Sequence, residues 1–281
     1  MGVWRVGFGV LFLAFCSSAG ASDAKDFYYG KEFALGGRKS GDVKERLHEI
    51  LNSFHVPKAG NFDNITATCE AKNCYRHTAV GYKRAREFLF GKFYLVRAGK
   101  GFGVKDVYCQ KVRESDEFSG EKPGPNSIPD HRVVNAEHTW PQSKFTRSFS
   151  NDDQKSDLHH LFPTDSELNS KRSSLWFGEV NRELEELKCP ESKLGNDRTS
   201  GDLVFEPPQQ HQGNVARAIF YFSTRYKTKL GENEENTLRK WHREDPVDAE
   251  ETQRNEEIFQ LQKSRNPYVD YPELVDEVAD F

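Results

Sequence analysis

Apolar residues recur at helical spacing in several stretches of this chain. Val43, Leu47, Ile50, Leu51 and Phe54 form the first, the rhythm of an amphipathic helix. Asp42 with Glu45 three residues on reads as its capping pair, and Pro57 as its stop. A second helix is predicted from near Thr78 to Phe90, burying Tyr82, Ala85 and Leu89. Its other face carries Lys83, Arg84 and Arg86, a run that is more often simply solvated but is also able to meet phosphates. Val215, Ala218, Ile219, Phe222 and Tyr226 keep register through a helix from Asn214 to Tyr226. Further helices are predicted over Asn181 to Lys188, Glu235 to His242 and Ala249 to Lys263, the last ended by Asn266-Pro267.

Strands are fewer. Val104 to Val112 alternates as one strand, and residues 58–76 and 115–129 read as loops. Between Val133 and Trp176 the pattern changes quickly. Val133, Val134 and the alternation into Glu137 predict a strand, which Pro141 prevents from continuing. Phe145 to Ser156 is polar and loop-like, and Leu158, Leu161 and Phe162 predict a second short strand ended by Pro163. Thr164 with Glu167 reads as a capping box, opening a helix that carries Asn169 and Arg172. No Pro/Ser linker divides the chain. The expected class is α+β, a mainly helical single domain with short antiparallel strands.

Composition places this domain outside the cytoplasm. Arg5 precedes an apolar run from Val6 to Phe15 and an Ala19-Gly20-Ala21 exit, the layout of an export signal. Cleavage after Ala21 leaves a domain over 22–281, periplasmic or secreted. Bulky Phe15 beside Cys16 argues against a lipid-anchored start. No other stretch is long and apolar enough for a membrane span. Four cysteines remain, Cys69, Cys74, Cys109 and Cys189, an even count that points to two disulfides behind such a signal. Pairing 69–74 with 109–189 is one candidate arrangement. The formal charge of −4 gives no global attraction to nucleic acid. A polyanionic substrate therefore needs a local basic groove or a metal ion.

The dense polar stretch carries the chemistry. Hydrolysing a phosphodiester takes a base for water and positive charge against the crowded phosphorus. His138 suits the first task, since imidazole is partly neutral near neutral pH. Glu137 and Asn169 are hard oxygen donors, suited to Mg²⁺ rather than a soft metal. Arg172 is a candidate for the product phosphate or for a structural ion pair. Neighbours on a regular strand face opposite ways, so Glu137 and His138 serve one site only if the strand bends, as Pro141 would allow. A zinc protease reading fails, because no second His stands four from His138. Asp157 and the His159-His160 pair read as orienting or packing groups rather than ligands.

N-A-E-H-T-W-P-Q-S from Asn135, followed by S-D-L-H-H-L-F-P-T-D-x-x-x-N-S-x-R from Ser156, resembles the bacterial endonuclease I family. F-E-P-P at Phe205, G-N-V-A-R-A-I-F-Y-F at Gly213 and R-N-P-Y-V-D-Y-P at Arg265 continue the likeness, which covers about residues 28–276. The resemblance implies a ββα-metal (His-Me finger) core over about residues 131–178. It implies His138 as general base and Glu137 and Asn169 as ligands of one Mg²⁺ ion per site. Some relatives carry an acidic residue where Lys155 stands, and that role does not transfer. The expectation is a sequence-nonspecific endonuclease acting on DNA, with RNA as a further substrate, as a monomer and with no membrane partner once the signal is removed. The alternatives are a nuclease dedicated to RNA and a non-catalytic exported nucleic-acid-binding protein.

Overall fold

The structure, a computed structural model, describes residues 24–34 and 43–281. The expected leader and the Asp42 cap lie outside them. The chain begins with α1 (Ala24–Tyr29), α2 (Lys31–Ala34), α3 (Val43–Asn52), β1 (Phe54–Lys58) and β2 (Asn61–Thr66). Then come α4 (Tyr82–Phe88), which runs on as a π-helical turn, β3 (Leu95–Ala98), β4 (Gly101–Asp106) and β5 (Lys111–Glu114). The middle holds β6 (Val134–His138), α5 (Asn151–Ser156), β7 (Leu161–Asp165) and α6 (Ser166–Arg172). After these follow β8 (Val180–Glu183), β9 (Lys193–Asp197) and β10 (Leu203–Glu206). The chain closes with α7 (Gln209–Tyr226), α8 (Glu232–Glu244), α9 (Ala249–Gln262), α10 (Pro267–Asp270) and α11 (Leu274–Glu277). The strands form four small antiparallel sheets, β1-β2, β3-β4-β5, β6-β7 and β10-β9-β8. The α+β expectation holds.

One helix organises the core. Val215 through Tyr226 are buried without a break along α7, the signature of a helix enclosed on all sides. Several of its polar residues find partners inside the protein: Arg217 pairs with Glu251 at 2.6 Å, and the Thr224 and Tyr268 hydroxyls meet at 2.6 Å. Gly213 near its start is required by close approach, since a Cβ there would lie 1.9 Å from the Asp245 carbonyl oxygen. Disulfides join Cys69 to Cys74 and Cys109 to Cys189. Among the described residues no helix is long and apolar enough to cross a membrane.

Several local expectations are corrected. Helix α3 ends at Asn52, and Phe54 to Lys58 turn into a hairpin with β2. Pro57 sits where the register shifts between Val56 and Lys58, a bulge that tolerates a missing N–H. Val104 to Val112 is two strands, not one. The Asp106 carboxylate accepts from the Tyr108 and Cys109 amides and turns the chain between them. A loop was expected up to Ser156, yet Asn151–Ser156 is helical, capped by the Ser150 hydroxyl. Asn181 to Lys188 is not a helix, because β8 pairs with β9. Gly195 admits that pairing, a Cβ there meeting the Arg182 carbonyl at 2.2 Å. Long-range pairing overrides local helix propensity here.

Three buried histidines make the fold acid-sensitive. His159, His160 and His211 are 2%, 0% and 4% exposed. Burial, above all, lowers their pKa values to about 3, about 4 and about 3 respectively. Unfolded, each titrates near about 6.5. Below that value the unfolded chain takes up protons that the folded chain refuses. Stability present above about pH 6.5 is thus lost progressively as pH falls toward the folded values, by up to about 1.4 kcal/mol per histidine per pH unit. The melting temperature is expected to drop between about pH 7 and about pH 5; a flat profile in a pH series of thermal melts would contradict this.

Candidate active site

The polar stretch folds into two paired strands with a helix laid across one face. Strand β6 pairs with β7 in unbroken register from Val134↔Asp165 to His138↔Leu161. The Thr139 amide still bonds the His160 carbonyl beyond it, at 3.0 Å. The bend expected after Ala136 is therefore absent. Pro163 does not end β7 either. The Thr139–His160 and Ser166–Val133 bonds mark the bonded pairs, which alternate along the ladder, so Pro163 faces Ala136 in a pair that needs no N–H. The cap of α6 is Asp165, not Thr164, and its Oδ1 accepts from the Glu167 and Leu168 amides at 2.9 and 3.0 Å.

Two periodicities then match. Asn135 and Glu137 stand two apart on one strand face, and Asn169 and Arg172 stand three apart on one helix face. Asn169 Nδ2 donates to Asn135 Oδ1 at 2.7 Å, and Arg172 Nη1 meets Glu137 Oε1 at 2.7 Å. The Asn135 amide in turn donates to Ser166 Oγ at 3.2 Å. This orients Asn169 with its nitrogen committed and its carbonyl oxygen left as an acceptor. Sequence reading missed Asn135. The available signal was its place two residues before Glu137.

Glu137 and Arg172 are 2% and 1% exposed. Tyr108 donates its hydroxyl to the same Glu137 oxygen at 2.9 Å. Burial, the larger effect, pushes the Glu137 carboxyl above its usual range, while Arg172 and Tyr108 pull it back. Arg172 also donates to the His138 and Thr139 carbonyls at 3.0 and 2.6 Å and covers the Phe177 ring at 4.4 Å. Its charge is committed to the protein in this structure.

His138 lies on the opposite face. Its ring packs among Tyr82, His160 and Phe145, at 5.5, 5.4 and 6.2 Å between centroids. Nε2 donates to the Lys155 carbonyl at 3.0 Å, since a carbonyl only accepts. Nδ1 therefore holds the lone pair and receives the Gln142 amide at 3.3 Å. Burial first, then His160, Lys155 and Arg172, lower its pKa to about 3. The ring is neutral at neutral pH.

Both faces meet at one cleft. Strand β6 pairs only with β7, and along its free edge runs a cavity of about 380 Å³. Val134, Asn135 and Ala136 line it, with Tyr82, Arg86, Gln142 and Asn169 around them. Asn135 and Asn169 come from the Glu137 face. Tyr82 and Gln142 are the groups that contact His138. The open edge lets groups from opposite faces border one space without a bent strand.

The remaining polar residues are structural. Asp157 accepts from Gln262, Tyr221 and Tyr226 at 2.7, 2.9 and 2.8 Å. His159 and His160 donate to the Ser264 and Gln154 carbonyls at 3.0 and 2.7 Å. Among the described residues, Asp106, Cys109 and Asp165 bring donor atoms within 4.8 Å of one another. Arg113 bridges the two carboxylates at 2.8 and 2.6 Å, and the Cys109 sulfur is in a disulfide. Those donors are already occupied. Glu137 and Asn169 instead offer hard oxygens beside a cleft, and the two named bonds to Glu137 both fall on Oε1.

Removing Arg172 leaves a buried carboxylate without its counter-charge. Arg172→Ala is expected to cost about 3–5 kcal/mol, read as a shift of the urea unfolding midpoint. A midpoint unchanged from the parent would show that the pair does not hold α6 to β6.

The chain matches the family description Endonuclease I over residues 71–273, a span that contains the cleft, β6, β7 and α6. It is 33% identical over 162 residues to the extracellular ribonuclease of Bacillus subtilis (strain 168), covering 51% of this chain and 53% of that protein. It is 32% identical over 115 residues to endonuclease-1 of Buchnera aphidicola subsp. Acyrthosiphon pisum (strain APS), covering 41% and 44%. It is 30% identical over 115 residues to an extracellular deoxyribonuclease of Aeromonas hydrophila, covering 41% and 48%. The chain spans about half the length of the curated relatives it matches. With most of its length and the whole of its cleft inside the matched span, the chain belongs to the endonuclease I family.

Proposed function

We propose that the protein is an exported, Mg²⁺-dependent endonuclease that hydrolyses phosphodiester bonds of DNA without sequence preference. The observation that carries this reading is the cleft on the open edge of β6. Asn169, with its oriented amide oxygen, lines it, and so does Gln142, behind which the His138 imidazole lies. Family membership and two disulfides support an exported nuclease.

The roles follow from the atoms. His138 Nδ1 is the base. It takes a proton from the attacking water once Gln142 gives way, while Nε2–H stays anchored on the Lys155 carbonyl. The water oxygen forms a bond to phosphorus and the bond to a sugar oxygen breaks. Glu137 and Asn169 would hold Mg²⁺, which when bound supplies positive charge against the phosphate oxygens. Arg172 acts through Glu137, balancing its charge and holding the backbone of His138 in place. Asn135 orients Asn169 from outside the ligand set.

A second reading, a nuclease dedicated to RNA, draws on the similarity to a protein named extracellular ribonuclease. Parallel digestion of plasmid DNA and RNA by the purified mature chain, with Mg²⁺ or chelator, separates the two. His138→Ala is expected to lose about two to four orders of magnitude in rate. Cutting at the parent rate would remove His138 as the base. Glu137→Gln and Asn169→Ala are expected to raise the Mg²⁺ concentration needed for half-maximal rate. An unchanged Mg²⁺ titration would eliminate them as ligands.

A further inference from the structure

Among the described residues, two cations on the cleft side of the molecule form no ion pair. Arg86 from α4 and Lys155 from α5 both sit on the Tyr82 ring. The guanidinium carbon is 4.7 Å and the ammonium nitrogen 4.8 Å from its centroid. Among the described residues neither is in an ion pair with a carboxylate, and Arg86 Nε is buried with no hydrogen-bond partner. Arg172 and Arg113 are ion-paired with Glu137, Asp106 and Asp165, although Arg172 Nε is likewise buried without a hydrogen-bond partner. Tyr82 and Arg86 line the cleft, and the Lys155 carbonyl holds His138. In a chain of net charge −4 this is a local positive site beside the candidate base.

We propose that Arg86 and Lys155 clamp a phosphodiester flanking the scissile one, with Tyr82 as the platform that spaces them. The proposal rests on reading the cleft as a nuclease site. Arg86 lines the cleft with no carboxylate paired to it among the described residues, and a phosphate oxygen there supplies an acceptor for its guanidinium through a charge-assisted bond. Cation–π contact alone holds the two heads loosely. A polyanion that displaces water gains both charges at once. Arg86 and Lys155 are thus substrate-positioning residues, separate from the base and the metal ligands.

The test compares the parent with Arg86→Ala, Lys155→Ala, Arg86→Lys and Lys155→Arg. Binding of a single-stranded DNA oligonucleotide is measured in chelator over a salt series, and KM and kcat with Mg²⁺. Each alanine variant is expected to weaken binding about tenfold and to raise KM more than it lowers kcat. Each is also expected to reduce the slope of log affinity against log salt by about 0.7. The charge-conserving variants are expected to retain the parent slope. Alanine variants with parental affinity and slope overturn the clamp. So does an Arg86→Lys or Lys155→Arg variant whose slope falls as far as that of its alanine counterpart. A parent chain that binds with these slope changes but cleaves neither DNA nor RNA supports the clamp and overturns the nuclease reading.

Discussion

The site depends on one buried ion pair. Glu137 and Arg172 meet at 2.7 Å with almost no exposure. Two charges removed from water are costly, and their attraction offsets this only when the remaining donors and acceptors are satisfied. Here Tyr108 donates to Glu137, and the His138 and Thr139 carbonyls take up two Arg172 nitrogens, with Arg172 Nε left buried without a partner. The same arginine therefore balances a carboxylate and fixes the backbone of the next residue. It also sets the height of α6 over β6, and with it the position of Asn169 one helical turn earlier. An arginine in this place does what a lysine would not, since its fork reaches three acceptors from one plane.

The second constraint is the unpaired edge of β6. A strand alternates its side chains, so adjacent Glu137 and His138 are forced apart. An edge that another strand had covered would have sealed them into separate environments. Among the described residues only β7 pairs with it, and the other side borders a cleft lined by Asn135 and Asn169 from the Glu137 face and by Gln142, which contacts His138. Open edges invite unwanted pairing. This one is flanked by Tyr82, Arg86, Gln142 and Asn169, side chains rather than a backbone ladder. The cations at this place would reconcile a chain of net charge −4 with the polyanionic substrate proposed for it, because attraction at contact distance depends on local charge more than on the total.

Helices with a sustained apolar stripe were legible. Helices α7, α8 and α9 lie where their periodicity predicts, α7 and α8 a few residues longer and α9 one residue shorter. Short elements were not. The β1-β2 hairpin, the Asp106 turn and α5 depend on a bulge, a side-chain cap and a two-residue change of direction, none of which leaves a periodic trace. The segment after Asn181 is the clearest conflict. Its Glu- and Leu-rich composition favours helix, yet β9 offers a strand with Gly195 at its centre, and the Cys109–Cys189 disulfide ties the end of the stretch to Cys109.

For the site, the family resemblance supplied the roles, while residue types and spacing named Glu137, His138, Asn169 and Arg172 as candidates, because the chemistry of a base and of hard ligands is local to each side chain. They also sufficed for the strand, strand, helix order that carries them. Tertiary structure alone decided which nitrogen of His138 keeps its lone pair, which face each neighbour takes, and that Arg172 is committed to Glu137. Asn135, Gln142, Tyr82, Arg86 and Lys155 acquired their relation to the cleft in the same way. The physical reason is distance along the chain. Tyr82 and His138, or Tyr108 and Glu137, are brought into contact by packing across elements, and hydrogen-bond partners of that kind are not written in any window of sequence.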